Sequence, residues 1–255
     1  MTDIFSLAGR HALVTGASGG LGRHFAAVLA GAGATVTVAA RRADRCAETV
    51  EMIEAAGGRA QAVPLDVTDS AAIAAAFDAA TGAAGQPVDI LVNNAGVTVT
   101  KRALEVTEED WDYVVDTNLK GVWMVAQEAA KRMAEANGGA VINIASITAF
   151  RQASKIAAYA IAKAGVAQMT KILALELAAV GVRVNALAPG YVVTEMNRDI
   201  LEGPAGEVMV KRIPQRRFGR LEDLDGPLLL LASGASAFMT GAVVEVDGGQ
   251  LVNSL

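Results

Sequence analysis

Cysteine is nearly absent from this chain, with Cys46 standing alone among 255 residues. A lone thiol excludes an internal disulfide and a cysteine-rich metal site. Long apolar runs are lacking too, although 53% of the residues are apolar. Charge, glycine or proline breaks each apolar stretch well short of the roughly 18 to 20 residues that a membrane helix needs, so no membrane span is expected. The first residues carry an early acid, Asp3, and no basic cluster, and no secretory leader is expected. An excess of basic charge is missing: 22 Lys plus Arg face 27 Asp plus Glu, a net charge of −5. Nucleic acid is therefore not the expected partner. Histidine is scarce, and neither His11 nor His24 has a partner at triad or ligand spacing, so both are read as surface or packing residues. No proline- or serine-rich linker, charge block or internal repeat divides the chain. The expectation is one folded domain over residues 1–255, in the cytoplasm.

Glycine, by contrast, is plentiful at 26 residues, above the usual share of roughly 7%. Many glycines stand where apolar runs end. Those runs are short and β-branched, at 12–14, 35–39, 60–65, 89–92, 140–144, 182–187 and 242–246. Between them lie helical patterns. Leu21, Phe25, Val28 and Leu29 recur at helical spacing, as do Cys46, Val50 and Ile53. Further helices are expected over 70–80 behind a Thr68-Asp69 cap, from the Thr107–Asp110 capping box to about 136, over 157–180 and over 222–232. Strands apolar on both faces and alternating with helices predict an α/β fold. It is a doubly wound, Rossmann-type, seven-stranded parallel sheet with helices on both faces. The irregular stretch 191–219, with two prolines and several basic residues, is expected to be a substrate lid.

The first strand runs into Thr15-Gly16-Ala17-Ser18-Gly19-Gly20-Leu21-Gly22. Glycines there let the backbone turn tightly and approach a ligand, and free N–H groups at a helix start point at an anion. The spacing G-x-x-x-G-x-G differs from the G-x-G-x-x-G dinucleotide fingerprint, so a plain strand-to-helix turn is the competing reading. The second strand ends in Ala40-Arg41-Arg42, with no acid until Asp44, where NAD-specific folds place a carboxylate on the ribose. Two guanidiniums suit a 2′-phosphate. They favour NADP over NAD, the alternative being that both begin a solvated helix.

Tyr159 and Lys163 are four apart on a helical pattern and share a face. An ammonium near a phenol lowers its pKa and lets it exchange a proton near neutral pH. Ser146 ends the fifth strand, Asn93-Asn94-Ala95-Gly96 ends the fourth, and both face the crevice where α/β folds bind ligands. Asn118 lies in the helix that follows. Together with Pro189-Gly190, these motifs in this order resemble the short-chain dehydrogenase/reductase family over nearly the whole chain, and 3-oxoacyl-acyl-carrier-protein reductase-like members in particular.

The resemblance implies an oxidoreductase that moves hydride between NADP(H) and a carbonyl or secondary alcohol, most simply a keto reductase. It makes Tyr159 the acid–base, Lys163 the holder of the nicotinamide ribose, Ser146 the hydrogen-bond donor to substrate oxygen and Asn118 the holder of a water behind Lys163. It places Gly16, Ser18, Gly20, Leu21 and Gly22 at the phosphates and Arg41 and Arg42 at the 2′-phosphate. Asp66 and Val67 flank the adenine, and Asn93, Ala95 and Gly96 line the adenosine ribose. Tyr159, Lys163, Pro189, Gly190, Val192 and Thr194 meet the nicotinamide end. Substrate contacts are expected from 97–99, Thr148, 150–152, Tyr191 and 196–201, with Tyr191 and Arg151 suited to an acid or hydroxyl. An NAD-dependent sugar, polyol or hydroxy-acid dehydrogenase is the alternative, and a non-catalytic NADP-binding sensor a remoter one. The resemblance also implies a homotetramer, with 250–255 at a subunit boundary. The basic cluster Arg212, Arg216, Arg217 and Arg220 reads as a solvated face or as an attractor of anionic substrate.

Overall fold

Seven strands lie side by side: β1 (His11–Thr15), β2 (Thr35–Ala40), β3 (Arg59–Pro64), β4 (Ile90–Asn93), β5 (Gly139–Ile144), β6 (Val182–Pro189) and β7 (Val243–Val246). They pair in parallel in the order β3-β2-β1-β4-β5-β6-β7. The computed structural model describes residues 4–136, 138–194 and 197–253. Parallel strands need covered faces, and the interior of the sheet is buried and mostly apolar: all of β1 is buried and all but the first residue of β2 and β5, with His11, Thr37 and Asn143 among the few polar side chains enclosed.

Helices α1 (Gly20–Gly31), α2 (Ala43–Ala55) and α9 (Asp225–Ala232) cover one face, packing Phe25, Leu29, Ile53 and Leu228 against Val14, Val38 and Ile142. Helices α3 (Ser70–Ala84), α5 (Val122–Glu135) and α6 (Ala157–Leu177) cover the other, around Phe77, Met133, Val166 and Leu173. The strand order reverses between β1 and β4. In such sheets the ligand crevice opens at that point, beyond the carboxyl ends of the strands.

Three expectations shift. The helix foreseen from 107 to 136 is two helices, α4 (Glu108–Val115) and α5, joined by a π-helical turn at Asp116–Gly121. Its N-terminus is as expected: Thr107 accepts from the Asp110 N–H, and the Asp110 carboxylate accepts from the Thr107 N–H. A Cβ on Gly121 would stand 2.9 Å from the Val67 carbonyl oxygen, so glycine lets the π turn press against the loop after β3. The last helix starts late, because a 3₁₀ turn at Leu221–Leu224 precedes Asp225. The stretch 191–219 is less irregular than foreseen, and holds α7 (Arg198–Leu201) and α8 (Pro204–Val210).

Candidate active site

The end of β1 is clamped to the end of β4. Thr15 Oγ1 accepts from the N–H groups of Asn94 and Ala95, each at 2.9 Å, and Asn94 Nδ2 donates to the Thr15 carbonyl at 2.9 Å. Between these ends the glycine turn is drawn so tight that side chains do not fit. A Cβ on Gly22 would stand 2.4 Å from the Gly16 oxygen, and one on Gly16 2.9 Å from Ala95 Cα. Gly16 (φ 66°) and Gly20 (φ 52°) also adopt the left-handed backbone that favours glycine. At Gly19 and Gly20 a Cβ would meet nothing within 4 Å, so there the turn faces open space.

Among the described residues no side chain caps the start of α1, which leaves its first N–H groups to an anion. Leu21 packs against the α1 face of the core. Arg42 donates to Ser18 Oγ at 3.0 Å, and Arg23 to the Ser18 carbonyl at 3.1 Å. Arg41 is exposed, with its guanidinium 3.9 Å from the Asp66 carboxylate. Asp66 accepts from the Thr68 N–H and hydroxyl, and these bonds hold its pKa below the usual carboxylate range. The cradle therefore fits a dinucleotide carrying an extra phosphate: a side-chain-free turn, open N–H groups and two guanidiniums at its rim.

The structure moves two of the foreseen adenosine contacts. The Asn93 side chain is buried under α5, with Nδ2 donating to the Val122 carbonyl at 2.7 Å, because strand alternation turns it away from the crevice. Only its backbone lies at the strand end. Val67 is likewise buried, against Gly121. Ala95 and Gly96 are at the surface of the crevice.

Ser146 follows β5 and begins a 3₁₀ turn. Its hydroxyl accepts from the Thr148 N–H at 3.1 Å and lies 3.0 Å from the Thr148 hydroxyl. Tyr159 and Lys163 stand one turn apart on α6. Lys163 Nζ is 5.6 Å from the Tyr159 ring centroid and donates to the Ile144 carbonyl at 2.6 Å, two residues before Ser146. Burial lowers the Lys163 pKa to about 8. In the chain itself the phenol is not lowered, as the tyrosine–lysine pairing led one to expect. Burial pushes it above its ordinary value of 10, and the Ser146 hydroxyl pulls the other way.

Asn118 is fully buried in the π turn. Its Oδ1 accepts from the Val97 N–H and its Nδ2 donates to the Val97 carbonyl, both at 2.8 Å. The side chain thus pins the loop after β4, and π turns of this kind often stand at functional sites. Gly190 passes 2.8 Å, in terms of a notional Cβ, from Asp247 Cα, so β6 and β7 converge past Pro189. Asn197 occupies two groups foreseen for the nicotinamide: its Nδ2 donates to the Val192 carbonyl and its Oδ1 accepts from the Thr194 N–H. The Thr194 hydroxyl is not engaged by Asn197. Of the foreseen substrate segment 196–201, Met196 lies outside the described residues, as do Ser254 and Leu255 of the tail.

Thr15, Asn94, Arg23 and Asn197 carry roles the sequence reading did not assign. Their signal was faint: Thr15 and Asn94 are polar residues at strand ends, Arg23 follows the glycines, and Asn197 has no signal beyond its place before a short helix. Other residues hold the fold. His11 is buried between the Gln86 carbonyl and Thr37 Oγ1, and His24 pairs with Asp225 at 2.6 Å. Cys46 is buried, and burial raises its pKa. Arg217 pairs with Asp223 at 2.5 Å, and its basic neighbours from 211 to 220 are exposed. Among the described residues no cluster of His, Cys, Asp and Glu could hold a metal ion, and no helix is long and apolar enough to cross a membrane.

A phosphate cradle at the sheet's switch point, with serine, tyrosine and lysine at the neighbouring strand end, defines a dinucleotide-dependent oxidoreductase. A family model described as enoyl-(acyl carrier protein) reductase matches residues 16–250. The 2-dehydro-3-deoxy-D-gluconate 5-dehydrogenase of Bacillus subtilis is 38% identical over 250 residues, covering 98% of this chain and 97% of that one. The 3-oxoacyl-[acyl-carrier-protein] reductase of Thermotoga maritima is 37% identical over 246 residues, covering 96% and 99%. A crystal structure of a gluconate 5-dehydrogenase from Burkholderia cenocepacia, in complex with NADP and tartrate, superposes with a TM-score of 0.94 at 36% identity, covering 99% of each chain. The chain belongs to the short-chain dehydrogenase/reductase family.

Proposed function

We propose that this enzyme interconverts a ketone and a secondary alcohol on a polyhydroxylated carboxylic acid, using NADP(H). The observation that carries the reaction is the convergence of Ser146, Tyr159 and Lys163 beside a glycine cradle rimmed by Arg41 and Arg42. The substrate class draws support from the gluconate and ketogluconate relatives. Bound in the crevice, NADP(H) supplies or accepts the hydride.

The protein's own residues handle the proton and the orientation. Tyr159, raised above 10, keeps its proton at neutral pH and is poised to donate it to a developing alkoxide. Ser146 donates a second hydrogen bond to that oxygen. Lys163, largely charged at neutral pH, holds ribose hydroxyls and favours the phenolate once the proton has left. Asn118, its side chain spent on Val97, acts by shaping the wall of the crevice and by offering its backbone to a water. Pro189, Gly190, Val192 and Thr194 form the nicotinamide end, and 191–219 the lid. The reading extends to a homotetramer in the cytoplasm, in keeping with a lone buried thiol.

The test follows NADPH oxidation with 5-ketogluconate, fructose and an acetoacetyl thioester, and NADP+ reduction with 2-dehydro-3-deoxygluconate. The keto acids should give the highest kcat/KM, with at least about a tenfold preference for NADPH over NADH, worth ~1.4 kcal/mol. Tyr159→Phe should lower turnover by about 10²- to 10⁴-fold with NADPH affinity unchanged. A thioester as best substrate would overturn the substrate class, a preference for NADH the cofactor, and an active Tyr159→Phe the proton donor.

A further inference from the structure

A keto acid brings a carboxylate into the crevice, and a carboxylate taken from water needs a cation or a set of free donors. The segments that ring the crevice offer few cations. Lys101 is spent on Asp110 at 2.6 Å, Arg198 on Glu202 at 3.5 Å and Arg217 on Asp223. Arg102, Lys155 and the remaining basic residues of 211–220 are exposed. Tyr191 turns toward Phe218, in a cleft shared with the Arg217–Asp223 pair and with Glu245 and Asp247, whose two remaining carboxylates would repel an acid.

Arg151 is different. It lies five residues after Ser146 and is half-buried, and no carboxylate pairs with it among the described residues. Its Nη1 donates to the carbonyl of Gln250, beyond the end of β7. Since β6 lies between β5 and β7, this bond links the segments that follow β5 and β7 across the carboxyl end of β6. The strand order then sets out the crevice in sequence: phosphate cradle at β1, Ser146 at β5, guanidinium across β6 to β7. Gln250 is itself buried, so the carbonyl that holds Arg151 is fixed in place.

We propose that Arg151 anchors the substrate carboxylate. One N–H of the guanidinium is held by the Gln250 carbonyl, which fixes the plane of the group and leaves its other donors to the acid. This rests on the keto-acid reading above and makes Arg151 the residue that separates acids from neutral sugars of the same length. An anchor remote from the reacting carbon binds ground state and transition state alike, so its loss appears in KM and not in kcat.

The experiment measures kcat and KM of wild type, Arg151→Gln and Arg151→Lys with 5-ketogluconate and 2-dehydro-3-deoxygluconate, and with fructose and sorbose as neutral counterparts. NADPH affinity is measured alongside. Arg151→Gln should raise KM for the keto acids by about 10- to 100-fold, leave kcat and the neutral ketoses within about threefold, and leave NADPH affinity unchanged. Arg151→Lys should recover part of the loss. Unchanged KM for the acids in Arg151→Gln overturns the anchor and leaves the keto-acid reading standing. An equal loss on acids and neutral ketoses also overturns it, since Arg151 would then only brace the tail. A wild type that reduces neutral ketones and ignores both acids refutes the keto-acid reading, and the anchor with it.

Discussion

Lys163 carries its charge at a cost. It is 3% exposed, its hydrogen-bond partner is the Ile144 carbonyl, and burial alone brings its pKa from 10.5 to about 8. The unfolded chain therefore binds more protons than the folded one between about pH 8 and 10.5, and this group's contribution to stability rises with pH across that window. Below pH 8 the full penalty stands, on the order of 3 kcal/mol. Lys163→Met should then be more stable than wild type at pH 7 by about 1 to 3 kcal/mol, while losing turnover. The gap should narrow when denaturant unfolding is repeated at pH 10, and a variant less stable at pH 7 would refute this account. Helical spacing and a strand end made the positions of Tyr159, Lys163 and Ser146 legible in the sequence, while choosing them as a set rested on the family resemblance, since each alone reads equally well as an ordinary structural residue. The state of the phenol was not legible, because enclosure by the tertiary fold sets it.

At the scale of elements, the glycine turn shows why its spacing mattered. Gly22 is the first-turn residue of α1 that crosses the Gly16 carbonyl, and its notional Cβ lies 2.4 Å away, against backbone that cannot swing aside. Gly22→Ala should displace α1 from β1, cost about 2 to 4 kcal/mol, and weaken NADPH binding far more than Gly19→Ala, whose Cβ meets open space. Equal affinities of the two variants for NADPH, by fluorescence titration, would show that the turn does not form the cradle. The seven strands and most helices were legible from their periodicity, since parallel strands and amphipathic helices write their burial into the pattern. The π turn at Asp116–Gly121 was not, because one extra residue per turn leaves a helical pattern nearly intact while re-aiming Asn118 at Val97.

The whole molecule leaves a stripe of α6 bare. Ile161, Ile172 and Leu175 share one side of the helix, all are exposed, and Leu175 keeps 82% of its surface. Trp111 and Tyr113 of α4 are exposed as well. A monomer seldom leaves such a patch to water, and the expected outcome is subunit contact through this face. Light scattering should give a mass above one chain of 26.1 kDa, and Ile172→Glu with Leu175→Glu should lower it. A monomeric wild type would remove the tetramer. None of the partner geometry was legible in one chain's sequence beyond the small and apolar character of the helix.

The clamp between β1 and β4 has a consequence for the order of assembly. Thr15 receives its bonds from Asn94 and Ala95, 79 and 80 residues further along, so the first strand–helix–strand unit to leave the ribosome has its glycines but not the wall that closes the turn. Closing so long a loop is slow compared with local helix formation. A ligand that binds only the closed form adds its binding energy after this step and none before it. NADP should therefore act as a late lock on the folded sheet, slowing unfolding while leaving the early steps of folding untouched.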